Sequence, residues 1–331
     1  MSSIPISILD LAAVGADESI RDALEGTVVL ARLAEQLGYR RVWYAEHHNI
    51  QSIASSATAV LIAHVAAHTT TIRLGAGGIM LPNHSPLVIA EQFGTLETLH
   101  PGRIDLGLGR APGSDQPTMR ALRRGPDASD TFPHDVVELQ AFLADRTRIP
   151  HVHAIPGRGT NVPLYILGSS LFGAQLAAAL GLPFAFASHF APQALHEAVD
   201  LYRRRFEPSP EHDHPYVIAG VNVIAADSDS AAQQQLLAAR RRRVRSLFSR
   251  DGQTIGDDEA DQILRSPQAV YVNQMMTYVA VGVPAAVKAY LDDFADHAQA
   301  DELMVVHQAD SVEARLRSVQ LLAEVAELPA G

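Results

Sequence analysis

The sequence contains no cysteine among its 331 residues. Disulfides, thiolate nucleophiles and cysteine metal sites are therefore excluded, and catalysis must fall to histidine, carboxylates, hydroxyls, arginine or a cofactor. Positive charge is also scarce, since 26 Lys and Arg face 37 Asp and Glu and leave a formal net charge of −11. This balance opposes binding to nucleic acid or to an anionic membrane surface, so we expect neither as a partner.

Long apolar runs are missing as well. No stretch reaches the roughly 18 uninterrupted apolar residues that a transmembrane helix needs. The first residues lack the basic and apolar segments of a secretory signal. We therefore expect a soluble, cytoplasmic protein. Hydrophobic residues make up 47% of the chain, which is enough for a sizeable core.

Short β-rich segments alternate with longer Ala- and Leu-rich segments of helical periodicity. This alternation is typical of βα units around a parallel sheet. Eight strands are predicted, at residues 4–9, 41–46, 72–77, 103–108, 164–167, 184–187, 217–224 and 303–306. Eight units favour an α/β fold of the (β/α)8 TIM barrel type over a doubly wound sheet. No composition break indicates a second domain, so we expect one domain over residues 1–331.

The surplus length lies in two segments, residues 111–131 after the fourth predicted strand and 249–276 after the seventh. Loops that follow the strands form the active face of such a barrel. The two insertions are therefore either lids over a substrate or neutral surface additions. The four arginines at 240–243 lie on a predicted helix, and we interpret them as a solvated face.

Titratable side chains follow the second predicted strand at Glu46, His47 and His48. Side chains alternate along a strand, so the two histidines point to opposite faces and cannot easily share a metal. One of them should point towards the barrel opening, although both could also be structural. The His151 and His153 pair reads as loop between prolines, so we predict no metal site.

Three glycines, Gly75, Gly77 and Gly78, follow the third predicted strand. They remove side chains where the chain meets the barrel interior, so a flat ligand could approach the backbone closely. A bulge or tight packing would explain the same glycines. The segment is not a dinucleotide-binding fingerprint, because no third glycine opens a helix in the right register.

An anion site is predicted after the fourth and fifth strands. Gly168, Ser169 and Ser170 lead directly into a helix, whose N-terminus offers backbone N–H groups, hydroxyls and the positive end of the dipole. Arg110 can add a bidentate charge. Simple N-capping by the serines is the alternative. Together with the glycines and imidazoles, this site suggests a flat phosphorylated cofactor, with flavin mononucleotide (FMN) as the candidate.

At these residues the chain resembles the bacterial luciferase-like flavin-dependent monooxygenase family, from Ile6 to the last helix. The resemblance depends on several ordered motifs: Val42-Trp43-x-x-Glu46-His47-His48, Leu74-Gly75-x-x-x-Ile79-x-Leu81-Pro82-x-x-x-Pro86, Glu91-Gln92, Leu99-His100-Pro101-Gly102-Arg103, Gly107-x-Gly109-Arg110 and Leu180-Gly181-Leu182-Pro183.

The resemblance implies a (β/α)8 barrel that takes reduced FMN (FMNH2) from a separate flavin reductase and uses O2 to oxidise a small organic substrate. It implies that His47 is an acid/base near the reacting edge of the ring, while Glu46 and His48 hold the loop. It also implies a non-prolyl cis peptide at Gly77-Gly78 packed against the ring. Residues Arg110, Gly168, Ser169 and Ser170 match the family's phosphate-binding positions.

The sequence departs from luciferases in two places. Gly109 stands where luciferases carry a cysteine, so we do not expect light emission, and residues 251–263 do not resemble the luciferase mobile loop. Two alternatives stay open: a hydride-transfer enzyme that uses the deazaflavin F420, and a non-catalytic flavin-binding protein. The substrate cannot be identified from the sequence.

The resemblance further implies a homodimer. Residues 54–68 form a predicted helix with Ala57, Val60, Leu61, His64 and Val65 at helical spacing. This face could pack against a second copy of the chain. Packing within the barrel's own shell explains the same pattern.

Overall fold

A closed ring of parallel strands forms the centre of the molecule. The structure, a computed structural model, describes residues 4–111, 115–249 and 255–328. Its strands are β1 (Ile6–Asp10), β2 (Arg41–Tyr44), β3 (Arg73–Met80), β4 (Ile104–Gly109), β5 (Leu164–Gly168), β6 (Phe184–Phe186), β7 (Val217–Ala225), β8 (Val279–Gly282) and β9 (Glu302–His307). Strands β1 to β7 pair in sequence order, and β9 pairs with both β7 and β1 to close the ring.

Helices surround this ring, which is a (β/α)8 barrel as predicted. They are α1 (Ile20–Gln36), α2 (Thr58–Ala66), α3 (Pro86–Leu99), α4 (Gln116–Ala121), α5 (Phe132–Leu143), α6 (Leu171–Leu180), α7 (Leu195–Arg205), α8 (Asp229–Phe248), α9 (Asp257–Leu264), α10 (Ala269–Met275), α11 (Pro284–His297) and α12 (Val312–Ala326). Short 3-10 helices cover Leu81–Asn83 and Pro126–Ser129. All eight predicted strands are confirmed, whereas the extent of the domain stays a prediction.

Strand β8 was not predicted. It pairs with the last residues of β7, from Asn222 to Ala225, outside the ring. Strand β6 has only 3 residues and pairs with β7 no further than Ala219. The edge of β7 beyond that point would be unpaired without β8, and an unpaired edge leaves backbone groups unsatisfied.

The two insertions contain regular structure in their described parts. The first insertion contains α4 and the 3-10 helix Pro126–Ser129. The second insertion contains α9 and α10. Residues 112–114 and 250–254 lie outside the described residues. Arg124 of the first insertion donates to the Asn83 carbonyl over 2.9 Å, so this insertion contacts the segment that follows β3. Whether either insertion is a lid stays a prediction.

A buried ion-pair network, the floor, closes the amino-terminal end of the barrel. The Arg41 guanidinium of β2 lies 2.8 Å from the Asp105 carboxylate of β4 and 3.0 Å from the Glu302 carboxylate of β9. It also donates to the Tyr165 hydroxyl of β5 over 2.7 Å. Burial alone would lower the pKa of Arg41, but the charges of Asp105 and Glu302 raise it above its usual range. The three charges therefore stabilise one another in the absence of water.

Four further side chains extend the floor to other strands. Ser7 of β1 and Tyr216 donate to Glu302, and Trp43 of β2 and Arg73 of β3 donate to Asp105. The floor thus joins six barrel strands directly, and Tyr216 immediately precedes a seventh, β7. These hydrogen bonds satisfy polar groups that would otherwise be costly to bury.

Small residues line the opposite, carboxyl-terminal half of the barrel, which we call the mouth. The inward positions there include Ala45, Gly77, Ala185, Ala187 and Gly220. Leu9, Trp43 and Leu167 pack together in the layer beneath. Large side chains therefore fill the lower barrel, and we call the region lined by the small residues of the upper barrel the bowl.

The residues of α2 that were predicted to contact a second copy of the chain do not share one exposed surface. Leu61 and Val65 are only 6% and 0% exposed and pack in the core of this chain. Val60 is 70% exposed, and Ala57 and His64 are also exposed. The prediction of one five-residue contact face is therefore wrong for Leu61 and Val65, because the barrel's own shell buries them. Homodimerisation itself stays a prediction.

No helix in the described part of the chain is long and apolar enough to cross a membrane.

Replacing Asp105 with Asn should destabilise the fold by about 3 to 5 kcal/mol, because it leaves Arg73 without its charged partner and leaves two cations, Arg41 and Arg73, with only the Glu302 carboxylate in the buried floor. Urea unfolding measures the loss. The control, Asp227→Asn, removes an exposed carboxylate that pairs with Arg317 and should change stability far less. Equal losses in the two variants would contradict the role assigned to the floor.

Candidate active site

His47 follows the end of β2 at the mouth of the barrel. Trp43 and Ala45 pack in the barrel interior, and alternation places His47 on that same inward side. Glu46 and His48 lie on the other face, where the His48 Nε2 atom is 3.0 Å from a Glu46 oxygen. The predicted separation of the two histidines is confirmed.

Glu46 is a buried carboxylate that ties the end of β2 to the segment after β3. It is 1% exposed and accepts hydrogen bonds from the Met80 backbone N–H over 2.9 Å and from the Asn83 side chain over 3.0 Å. The His84 Nε2 atom lies 2.9 Å from the Glu46 Oε2 atom. Burial alone would raise the pKa of Glu46, but the hydrogen bonds and charge of His84, with Asn83 and His48, hold it below 4.5. Glu46 holds the loop, as predicted.

The peptide bond between Gly77 and Gly78 is cis, as the family resemblance implied. The pairing of β3 with β4 shifts register between Ala76 and Ile79, so a bulge is present as well. Gly77 is partly exposed at the mouth. Backbone rather than side chain therefore faces the bowl at this point.

Gly75 has a different role. It is buried, and a Cβ atom there would lie 2.6 Å from the Asp105 Cβ atom and 2.8 Å from the Trp43 Nε1 atom. The missing side chain makes room for the floor. The prediction that a flat ligand approaches the backbone closely is therefore wrong for Gly75. Gly78 is buried as well, and a Cβ atom there would lie 2.8 Å from the Gly107 carbonyl oxygen, so of the three glycines only Gly77 is partly exposed.

Arg110 lies beside the N-terminus of α6. Its guanidinium carbon is 4.1 Å from the centroid of the Phe172 ring in the first turn of that helix. Ser170 is the N-cap residue, but its hydroxyl accepts no hydrogen bond from the helix, so the capping alternative is wrong for Ser170. Ser169 and Ser170 are both exposed. Arg110, Ser169, Ser170 and the first N–H groups of α6 form what we call the anion cradle.

Gly168 ends β5 just before the cradle. A Cβ atom there would lie 3.3 Å from the Gly173 Cα atom of α6 and 3.3 Å from the Phe184 ring. This spacing is tighter than most side chains allow, so glycine lets α6 begin close to the strand. Direct contact between Gly168 and a ligand stays a prediction.

His189 is a mouth residue that the sequence analysis missed. It follows β6, its ring packs over Gly220 of β7, and its carbonyl accepts from the Asn222 side chain over 2.6 Å. Burial lowers the pKa of His189 to about 3, and the charges of Arg243 and His47 act in the same direction. His189 is therefore neutral at physiological pH. The alternation that singled out His47 could have found it, because His189 is in register with Ala185 and Ala187.

The interpretation of residues 240–243 as a solvated face is wrong in part. Arg242 lines a cavity with Asp10, His307 and Arg315 at the ends of β1 and β9. Burial lowers the pKa of Arg242 to about 10, and neighbouring arginine charges lower it further. Helix α8 thus carries cations over the mouth, where a sequence run alone could not place them.

Among the residues described, no three histidine or acidic side chains are arranged to hold a metal ion.

The mouth of the barrel thus carries His189, the partly exposed Gly77 and an arginine beside the N-terminus of α6, at the end where barrels of this type place their active sites. The family model for luciferase-like monooxygenases matches residues 4–300. The chain belongs to this family, and it is an oxidoreductase.

Two relatives match nearly the full length of the chain, and a third matches about two thirds of it. A luciferase-like monooxygenase from Escherichia coli strain K12 is 50% identical over 327 residues, covering 98% of each chain. The crystal structure of apo-MsnO8 is 37% identical, with a TM-score of 0.89, and the match covers 99% of this chain and 100% of that one. An N-acetyl-S-alkylcysteine monooxygenase from Bacillus subtilis is 39% identical over 226 residues, covering 65% of this chain and 68% of its own.

Replacing Glu46 with Gln should destabilise the protein by about 1 to 3 kcal/mol near neutral pH, because a buried amide cannot accept all of the carboxylate's hydrogen bonds. The pKa of Glu46 in the folded state is lowered from 4.5. The ionised carboxylate therefore stabilises the fold above that pH, and this stabilisation is lost as the pH falls through the folded-state pKa. Unfolding followed as a function of pH measures this. The difference in unfolding free energy between wild type and Glu46→Gln should become smaller below pH 4.5.

The matched control is Glu25→Gln, on an exposed carboxylate that pairs with Arg21. It should change stability little at any pH. A gap between wild type and Glu46→Gln that stays constant from neutral to acidic pH would contradict the ionised role of Glu46.

Proposed function

We propose that this protein is an FMN-dependent monooxygenase that receives reduced FMN from a separate flavin reductase and uses O2 to oxidise a small organic substrate. The observation that carries the proposal is the anion cradle, in which Arg110 stacks on Phe172 at the open N-terminus of α6. Gly77, whose backbone is partly exposed, lies in β3, and β3 pairs with β4. When bound, reduced FMN would supply the electrons that activate O2.

The charge of the cradle suits a phosphomonoester. In the described part of the chain, Arg110 forms no ion pair with a carboxylate, and its hydrogen bond runs to the Ser129 carbonyl over 3.4 Å. A guanidinium can bind a phosphate in bidentate fashion, and the N–H groups at the start of α6 can bind another of its oxygens. Arg110, Ser169 and Ser170 would hold the phosphate, and the Gly77-Gly78 backbone would support the ring.

His47 is the candidate acid/base. It lies on the inward side of the mouth, near enough to His189 for the charge of one to affect the pKa of the other. Since His189 stays neutral, His47 is the imidazole that would accept or donate a proton at the reacting edge of the cofactor. Glu46 and His48 would hold the loop that carries it.

The deazaflavin F420 is the second candidate cofactor. It also combines a flat ring with a phosphate, but its phosphate is a diester with one negative charge and a long tail. The open helix N-terminus and the uncompensated Arg110 favour the doubly charged phosphomonoester of FMN. Thioethers of the N-acetyl-S-alkylcysteine type are the first substrates to test, since a relative acts on them.

The direct test is oxygen uptake by the purified protein with FMN, NADH and a flavin reductase, over thioethers, aldehydes, alkanes, aromatics and sulfonates. We expect substrate-dependent product formation that needs FMN. His47→Ala should reduce it by about 100-fold or more, the usual contribution of a positioned acid/base, with FMN binding unchanged. His134→Ala, on an exposed face of α5, is the control.

Two outcomes would contradict the proposal. Tight binding of F420 without binding of FMN would assign the protein to deazaflavin chemistry. If His47→Ala oxidised the substrate as fast as wild type, the proposed acid/base role of His47 would be wrong.

Arg110→Gln should weaken FMN binding by about 10- to 100-fold, since a hydrogen bond to a charged group contributes about 1.5 to 3 kcal/mol. Riboflavin, which has the same ring without the phosphate, should bind wild type and variant alike. Quenching of flavin fluorescence measures both affinities. Arg317→Gln, at an exposed position of α12, serves as the control variant. Equal losses for FMN and riboflavin would contradict the phosphate role of Arg110.

A further inference from the structure

A small cavity lies at the carboxyl-terminal ends of β1 and β9, between these strand ends and helices α8 and α12. Its volume is about 50 Å³. Its polar lining residues are Asp10 of β1, His307 of β9, Gln308 directly after β9, Arg242 of α8 and Arg315 of α12. None of the described residues that line it belongs to the anion cradle or to the small residues named at the mouth. The cavity is therefore a second candidate site at the end of the barrel that usually carries function.

Two buried side chains of this lining have a polar atom without a hydrogen-bond partner. Asp10 is 3% exposed, and its Oδ2 atom accepts no hydrogen bond from any described residue. Its Oδ1 atom accepts from the Ala12 backbone N–H over 2.9 Å and from Arg315 over 3.1 Å. His307 is 7% exposed, and its Nε2 atom is likewise without a partner in the described part of the chain. An unsatisfied polar atom in the interior is costly, so a ligand that bonds to both atoms would stabilise the protein.

The hydrogen bonds of His307 assign the ring nitrogen that carries the proton. Its Nδ1 atom lies 2.8 Å from the Ser318 hydroxyl. That hydroxyl already accepts from the Ala225 backbone N–H over 3.2 Å, and its own proton has no other acceptor among the described residues. The hydroxyl therefore donates to Nδ1, and the proton of the neutral ring is on Nε2. Burial and the charge of Arg315 lower the pKa of His307 to about 3, so the ring is neutral at physiological pH.

The charges around the cavity balance one another. Arg315 pairs with Asp10 over 3.1 Å, and Arg242 pairs with Asp310, which follows β9. Each cation of the lining thus has a carboxylate partner. An additional ion of either sign would lose its hydration without gaining a counter-charge, which is costly. The ligand that fits is therefore neutral, and it accepts a hydrogen bond from His307 while it donates one to Asp10.

The size of the cavity limits the ligand further. An engineered cavity of about 150 Å³ holds benzene, and a water molecule takes up about 30 Å³ in the liquid. A volume of about 50 Å³ thus suits a molecule of one to a few heavy atoms. A hydroxyl group meets both requirements, because its oxygen accepts a hydrogen bond and its proton donates one.

We propose that this cavity binds a small hydroxylic molecule, either water or a short-chain alcohol, between His307 Nε2 and Asp10 Oδ2. The bound hydroxyl would join the ends of β1 and β9 through a hydrogen-bonded bridge that continues to Ser318 of α12. Buried waters that bridge otherwise unsatisfied groups are costly to remove, so the bridge would stabilise this end of the barrel. The inference does not depend on the proposed monooxygenase function, because the cavity shares no lining residue with the anion cradle.

A crystal structure of the full chain in alcohol-free buffer, at a resolution that shows ordered water, tests the site directly. We expect a density peak within about 3.2 Å of both His307 Nε2 and Asp10 Oδ2. A second crystal, soaked in ethanol, distinguishes the two sources of the hydroxyl. An elongated peak in place of the round one identifies an alcohol site, and an unchanged round peak identifies a water site.

Nitrogen-15 NMR of the histidine-labelled protein tests the donor in solution. We expect the signal of His307 to be that of the neutral Nε2–H tautomer. His307→Phe removes this signal and thereby assigns it, and it should also abolish the density in the cavity. His134→Phe, at an exposed position of α5, is the matched control and should keep both the signal and the density. The wild-type crystal needs no variant, so the inference stays testable if His307→Phe does not fold.

Several results would overturn the inference. They are a cavity without density in the wild-type crystal, a direct hydrogen bond between Asp10 and His307, an Nδ1–H tautomer of His307, and density that persists in His307→Phe. An ion such as chloride at this position, identified by its anomalous signal, would contradict the neutral charge assigned to the ligand.

Discussion

The buried contact between Arg41, Asp105 and Glu302 is the constraint on which the rest of the structure depends. These charges come from three strands, and their hydrogen bonds reach most of the others. A buried ion network is stable only when every member is paired, so the strands must keep the register that brings the partners together. The floor thereby fixes how the barrel closes, and it places bulky polar groups at the amino-terminal end.

The bowl at the other end follows from this arrangement. With Trp43 and Leu167 packed above the floor, the inward positions at Ala45, Ala185 and Gly220 are small, and the backbone of Gly77 is partly exposed. Parallel strands bring all their carboxyl ends to this one face, so residues far apart in sequence meet there. Glu46 then holds the segment after β3 against the end of β2 and thereby fixes the chain directly before His47.

Much of this could be predicted from the sequence, because the relevant signals are local. Strand alternation separated His47 from His48, and a Gly-Ser-Ser turn before a helix indicated an anion site near Arg110. Other features depend on tertiary packing. Gly75 has the same local pattern as Gly77 but makes room for Asp105, and β8 pairs with the part of β7 that the short β6 does not reach. Arg242 sits in a run of charges that reads as solvated, and only the path of α8 over the ends of β1 and β9 places it at a cavity.

The central claim is that the bowl binds FMN with its phosphate in the cradle, and a crystal structure of the protein soaked with FMN tests it most directly. The account predicts the phosphate within hydrogen-bond distance of Arg110 and the first N–H groups of α6, with the ring over the Gly77-Gly78 peptide. Density for the phosphate away from Arg110, or for the ring outside the mouth, would contradict it.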